Sequence, residues 1–298
     1  LNLWGIDLGG TKIEGVILDG SNPTKALHRL RLPTEGDKGY EHVMGQIRRV
    51  IEELEKTSGQ KRGARIGFGT PGAIEPATGF LKNSNTLCLN GHSLREDLSA
   101  MLGVDATVAN DANCCALAEA TLGAAKDASS MVGLIMGTGC GSGVVINKQL
   151  VVGLHGIGGE WGHNLMRDEN TPCYCGKGGC VETVIAGPSL ERWFRERTGN
   201  ALRLPEIVRL SKEGNPDAVA TLDRLSEKFA EAIAVLINII DPHAIVIGGG
   251  VGNLDTLYSP ETRARIAKYV FNNDVRTPLL RPALGDSTGV FGAAMLIA

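Results

Sequence analysis

No run of apolar residues in this chain approaches the roughly 20 needed to cross a bilayer, so a membrane-spanning reading is excluded at the outset. The first residues hold no basic stretch followed by an apolar core, and no secretory leader is expected. Neither sign of charge is in excess. The 30 Lys and Arg stand against 33 Asp and Glu, for a net charge of -3 and an isoelectric point near 6.1. Without a basic surplus there is no general affinity for the phosphates of nucleic acid. Low-complexity tracts and long linkers are missing too. So is any G-x-x-x-x-G-K-[ST] run, which excludes a Walker loop. These absences predict a cytoplasmic protein with neither membrane nor nucleic acid as partner.

Glycine is plentiful instead. There are 40 glycines in 298 residues, gathered at particular sites, which points to backbone approaching a ligand closely. The length suits roughly two domains, and 43% hydrophobic against 21% charged residues suits a core that needs no disulfide staples. Of the 7 cysteines, Cys173, Cys175 and Cys180 crowd together, which in a reducing compartment reads as metal binding.

Leu3 to Ile6 reads as a strand, Asp7-Leu8-Gly9-Gly10-Thr11-Lys12 as a tight turn, and Ile13 to Leu18 as a second strand, together a hairpin. Val43, Ile47, Val50, Ile51 and Leu54 recur at helical spacing between Tyr40 and Lys56. Arg65 to Phe68 is a strand leading into Gly69-Thr70-Pro71-Gly72. Val104 to Val108 is another, ending at Asn110-Asp111, and Ala112 to Leu122 is helical. The opening pattern then returns: Met131 to Met136, the loop Gly137 to Gly143, and Val144 to Asn147. This reads as a diverged internal duplication whose halves enclose a cleft, with a boundary near residues 112 to 130. Further on, Leu225, Phe229, Ile233, Leu236, Ile237 and Ile240 form one helical stripe, which Asp241-Pro242 ends. Ala244 to Ile247 is a buried strand running into Gly248-Gly249-Gly250. Gly289 to Ala298 reads as a small-residue helix that folds back on the first half.

One glycine turn alone could simply close a hairpin. Two of the same kind, with a triple glycine after Ile247, point to backbone N–H groups converging on a nucleotide's phosphates. A Rossmann fingerprint is excluded because the first loop leads into a strand. Asp7 is delivered to those phosphates and can hold Mg²⁺, usually through water; its bland alternative is a turn former. The spacing His163-x9-Cys173-x-Cys175-x4-Cys180 supplies a Cys3His set, a common tetrahedral zinc site with no open position and hence a structural role. Free thiols or a Cys173–Cys175 redox pair are the alternatives. Asn110, Asp111, Glu160, His163 and Glu182 offer acceptors for sugar hydroxyls, although each acid alone could be a cap or a surface charge. Zinc on one nitrogen of His163 would leave the other for a hydroxyl.

Several segments together resemble the ROK sugar kinases over essentially the whole chain. They are Gly5 to Lys12, Gly69 to Gly72, Ala109 to Asn113, Gly137 to Gly139, Gly159 to His163 and Cys173 to Thr183. The resemblance implies an α/β, actin/hexokinase-like (ribonuclease H-like) ATPase fold. Residues 1–118 would form a small lobe joined by the helix 288–298, and residues 119–287 a large lobe. It implies Asp111 as general base, with Asn110, Glu160, His163, Glu182 and Gly72 at the sugar. An asparagine before the loop 87–91 would also touch it; Asn83 and Asn85 compete, with Asn85 preferred. ATP with Mg²⁺ would lie on Asp7, Gly9, Gly10, Thr11, Lys12, Gly137, Thr138, Gly139, Gly249 and Gly250, and structural Zn²⁺ on His163, Cys173, Cys175 and Cys180. A homodimer is implied as well. Some members are repressors with a winged helix-turn-helix ahead of the body, for which this chain has no room before its first strand. Pro172 to Lys177, Lys82 to Asn85 and Asp286 to Gly289 look most like fructokinases that accept several hexoses. N-acetylglucosamine kinase and glucokinase are the alternatives, and a sugar-sensing regulator without turnover is the reading of another class.

Overall fold

The computed structural model describes residues 1–298 except Asn273, Asp286 and Ser287, so the Asp286-Ser287 part of the resemblance lies outside the described residues. The apolar runs of the N-terminus become β1 (Leu3–Leu8), β2 (Lys12–Asp19) and β3 (Asn22–Pro33). β1 and β2 pair antiparallel from Leu3↔Leu18 to Leu8↔Ile13, which leaves Gly9, Gly10 and Thr11 as the turn. The helical stripe becomes α1 (Tyr40–Ser58), with Val43, Ile47, Val50, Ile51 and Leu54 fully buried, and Gly59 ends it in the left-handed conformation. Each such side chain contributes about 1.5–3 kcal/mol by leaving water.

β4 (Arg65–Thr70) pairs parallel with β1, and after the short β5 (Ala73–Ile74), β6 (Leu81–Lys82) and α2 (Leu94–Leu102), β7 (Asp105–Asn110) pairs parallel with β4. The sheet order is β3-β2-β1-β4-β7. α3 (Asp111–Thr121) follows directly.

The second half repeats this plan. β8 (Ser130–Met136), β9 (Cys140–Ile146), β10 (Gln149–Leu150), β11 (Ala244–Gly248) and β12 (Leu279–Leu280) lie in the order β10-β9-β8-β11-β12. β11 is parallel to both β8 and β12. The matching succession of a strand, its hairpin neighbours and two parallel strands is what a duplicated unit leaves behind.

Between the hairpin and β11 come α4 (Val181–Ile185), α5 (Gly187–Thr198), α6 (Leu204–Lys212) and α7 (Pro216–Ile240). Asn215 caps α7 by accepting from the N–H groups of Asp217 and Ala218, and Leu225, Phe229, Ile233, Leu236 and Ile237 form its buried stripe. α8 (Gly249–Gly252), α9 (Pro260–Ala267) and α10 (Thr288–Met295) complete the chain. α10 packs on β1, β4 and α3. The approach is so close that a Cβ on Gly67 would stand 1.7 Å from the Ala293 carbonyl oxygen, and one on Gly292 1.8 Å from that of Cys114.

The chain divides into two compact units, one of Leu1–Ser129, Gly143–Gly159 and Pro282–Ala298, the other of Ser130–Ser142 and Glu160–Arg281. The first unit therefore takes in residues 119–129 and 143–159, which the sequence division assigns to the large lobe. Polar tethers hold them there. Lys148 donates to the Ala120 carbonyl at 2.6 Å, and the buried Glu119 carboxylate accepts from the N–H groups of Ala124, Ala283 and Leu284. Among the described residues no helix is long and apolar enough to cross a membrane.

Candidate active site

In the first unit, sheet register brings the two candidate carboxylates to the ends of β1 and β7, on either side of β4. Asp7 pairs with Gly69 between β1 and β4, and Thr70 pairs with Asn110 between β4 and β7, immediately before Asp111. The Asp7 carboxyl is raised to about 7, mainly by burial, then by the negative charges of Asp111 and Glu14, against a smaller opposing effect of Lys12. A Cβ on Gly289 would meet Asp7 Oδ2 at 2.8 Å, so a side chain there would push this carboxyl aside.

Asp111 opens α3. Its Oδ1 accepts from the Ala112 N–H at 2.8 Å. Its side chain is solvent-accessible, yet protein surrounds it on most sides, and burial raises its carboxyl despite the opposing hydrogen bonds from Ala112 and Asn110. Asn110 caps α3 through Oδ1, accepting from Ala112 N–H at 2.9 Å, and donates from Nδ2 to the Gly72 carbonyl at 2.9 Å. Gly72, with φ +87°, is thus tied to the turn that bears Asp111. The second N–H of Asn110 faces the Asp111 carboxylate, and one lone pair of its Oδ1 remains for a ligand.

Asn83 occupies a left-handed turn at φ 58°. Asn85 Oδ1 instead lies 4.0 Å from where a Cβ on Gly10 would stand, which places Asn85, rather than Asn83, beside the first glycine turn. That turn is held from below by a residue the sequence reading missed. Thr34, fully buried, donates from Oγ1 to the Gly9 carbonyl at 2.6 Å and from its N–H to the Thr11 carbonyl at 3.0 Å. Its only signal was a position just past a long strand. A cavity of about 550 Å³ opens here, lined by Gly10, Thr11, Glu35, Thr86 and Leu87 among others. Lys12 projects from the turn and pairs with Glu14 at 3.9 Å.

In the second unit the glycine segments Gly137–Gly139 and Gly249–Gly250 meet. A Cβ on Gly137 would stand 3.9 Å from the Gly250 nitrogen, and Gly249 has φ +86° directly against the Met136 carbonyl. Gly250 has open space above it and Thr138 is exposed. Glu182, on α4, reaches this loop: its Oε2 accepts from the Cys140 N–H at 2.9 Å. Glu160 precedes and His163 ends a short helical turn, Trp161–His163. Buried Trp161 anchors it by donating to the Ala232 carbonyl at 2.9 Å.

His163, Cys173, Cys175 and Cys180 bring their ligand atoms within 4.8 Å of one another. Cys175 Sγ and Cys180 Sγ are 3.5 Å apart, and Cys173 Sγ is 3.6 Å from His163 Nδ1. Tetrahedral zinc, with Zn–S near 2.3 Å, requires S···S separations of about 3.8 Å, so the set fits such an ion. Cys173 N–H donates to the Lys177 carbonyl and Gly179 N–H to the Thr171 carbonyl, closing the loop on itself. Glu169, paired with Arg224 at 2.7 Å and Lys228 at 3.2 Å, fastens it to α7.

The other nitrogen of His163 differs from expectation. Tyr174 Oη lies 3.0 Å from His163 Nε2, with the two rings edge to face at 5.2 Å. The phenol is pushed up to about 12, by burial first and then by the charges of Glu182 and Glu160. The nitrogen reserved for a sugar hydroxyl therefore already has a protein partner, and it comes from the loop's exposed aromatic residue.

A duplicated α/β body with glycine turns on its central strands defines the actin/hexokinase-like class of phosphotransferases. The solved ROK hexokinase of Thermus thermophilus superposes with a TM-score of 0.86 at 31% identity, over 99% of this chain and 97% of that one. The chain belongs to the ROK family, whose model matches residues 3–298, and it is a sugar kinase. It is 34% identical to the N-acetyl-D-glucosamine kinase of Pasteurella multocida and 33% identical to that of Aliivibrio fischeri. Each comparison covers 98% of this chain and 98% of the relative.

Proposed function

We propose that the protein transfers the γ-phosphoryl group of ATP to the 6-hydroxyl of a hexose, with N-acetylglucosamine as first candidate acceptor. The observation that carries the reaction is the pair Asp7 and Asp111, two carboxylates with raised pKa at the ends of the strands on either side of β4, one beside a glycine turn and the other at a helix start. Asp111 accepts the hydroxyl proton while the new O–P bond forms and the bond from phosphorus to the β–γ bridging oxygen breaks, releasing ADP. A raised carboxyl is a better match for that proton than an ordinary one. Lys12 and the N–H groups of Gly9, Gly10, Thr11, Gly137, Thr138, Gly139, Gly249 and Gly250 spread the phosphate charge. Mg²⁺, held near Asp7, supplies further charge neutralisation when bound.

Asn85, Asn110, Gly72, Glu160, His163 and Glu182 orient the sugar. The Cys3His set would hold structural zinc, which supplies rigidity to the loop bearing His163 and no chemistry of its own.

The acceptor order follows the relatives. Both bear the name of N-acetyl-D-glucosamine kinase, so the fructose expectation yields first place to its alternative. The test is ADP release with N-acetylglucosamine, N-acetylmannosamine, glucose, mannose and fructose, each with and without Mg²⁺. N-acetylglucosamine should give the highest kcat/KM, and Mg²⁺-independent turnover or none with any hexose would reject the proposal. A homodimer is the proposed assembly, checked by light scattering after gel filtration.

A further inference from the structure

Tyr174 lies between two members of the metal set, Cys173 and Cys175, so a bound metal would fix its backbone on both sides and leave only its side chain to turn. That side chain is 75% exposed, and little packing opposes its rotation. Its hydroxyl nevertheless sits 3.0 Å from His163 Nε2. The opposite ring nitrogen, Nδ1, faces the sulfurs, 3.6 Å from Cys173 Sγ. Nε2 is therefore the one ring position of His163 through which a sugar hydroxyl could bond, and the phenol stands on it. The ring itself stands edge to face against the imidazole, with centroids 5.2 Å apart.

We propose that Tyr174 determines acceptor specificity: its hydroxyl takes the acceptor's place on His163 and its ring narrows the space beside that imidazole. This rests on the sugar-kinase reading. Any acceptor that bonds Nε2 displaces the phenol and exchanges one hydrogen bond for another. The exchange of bonds is the same for every hexose, but the ring's volume is not felt equally. A 2-acetamido group carries three more heavy atoms than the hydroxyl it replaces, so Tyr174 reduces, without reversing, the advantage of N-acetylglucosamine over glucose.

Two variants separate the two effects. Tyr174→Phe keeps the ring and removes the competing hydroxyl, and KM for glucose, mannose and N-acetylglucosamine should all fall by about three- to tenfold with kcat unchanged, the scale of one neutral hydrogen bond. Tyr174→Gly also removes the ring, and kcat/KM for N-acetylglucosamine relative to glucose should rise about tenfold over wild type. Metal content and Tm, read in the same preparations, should match wild type. Calorimetric binding of the same sugars reads the effect independently of turnover. Binding and KM within about twofold of wild type in both variants, with metal retained, would overturn the proposal. Wild-type protein that binds these sugars without turning them over would instead reject the kinase reading and leave the Tyr174 effect to be read from calorimetry.

Discussion

At Asp7 the proposed function and stability oppose each other in one side chain. Its carboxyl is raised from 3.8 to about 7. Between those values the folded protein holds a proton that the unfolded chain has lost. Stability of the metal-free protein must therefore fall as pH rises from about 4 through about 7. Asp7→Asn removes the ionisation. In EDTA its Tm should change little across that window and exceed wild type at about pH 8, with turnover abolished. A variant that melts below wild type there would show that burial is not what raises this group. Asp111 is raised too, but it must be ionised to accept a proton. The acid limb of kcat should lie above the ordinary carboxylate range, with activity gained as pH rises. Asp111→Asn should lose more than about 100-fold in kcat while keeping sugar affinity. Near-normal turnover would place the base elsewhere.

The glycine turns and the cysteine loop do their work as elements. In the second unit Gly139 lies beside a carboxylate assigned to the sugar, since a Cβ there would stand 2.5 Å from Glu182 Oε2. The clash is with the end of a flexible side chain and not with backbone. Gly139→Ala should therefore leave Tm nearly unchanged while raising KM for the sugar as Glu182 shifts from the Cys140 N–H. A large loss of Tm would mean that the loop, and not Glu182, gives way. The cysteine loop has few apolar residues, and backbone bonds, the Glu169 ion pairs and the Tyr174–His163 contact hold it otherwise. Zinc binding in small sites releases roughly 10–16 kcal/mol, far more than an exposed ion pair contributes. Metal analysis should find about one zinc per chain. Cys175→Ser should lower Tm by several degrees and weaken sugar binding together, and metal-free native protein with unaltered sugar affinity would end the zinc assignment.

For the molecule as a whole, a ligand that binds only the folded chain stabilises it in proportion to its affinity, by about 2.7 kcal/mol at a hundredfold excess over Kd. Melting curves with the acceptor panel should rank the sugars as turnover does. A sugar that stabilises strongly without turnover would point to a regulatory ligand. Much of this protein was legible in its sequence because the signals are local. Hairpin turns, the stripe of α1, the helix stop at Asp241-Pro242 and the Cys3His spacing each depend on residues a few positions apart, where backbone geometry leaves few choices. The duplication could be read for the same reason, as a local pattern met twice. Contacts between residues distant in the chain carry no such pattern. The support of Gly9 and Thr11 by Thr34, the space Gly289 leaves for Asp7, the tether of Glu119 to residues 283–284 and the seat of Tyr174 on His163 arise only when packed elements bring particular atoms together. The local order of residues determined which chemical groups this protein has and which turns carry them. Tertiary packing decided which group faces which, because burial and hydrogen-bond competition depend on atoms that sequence separation does not specify.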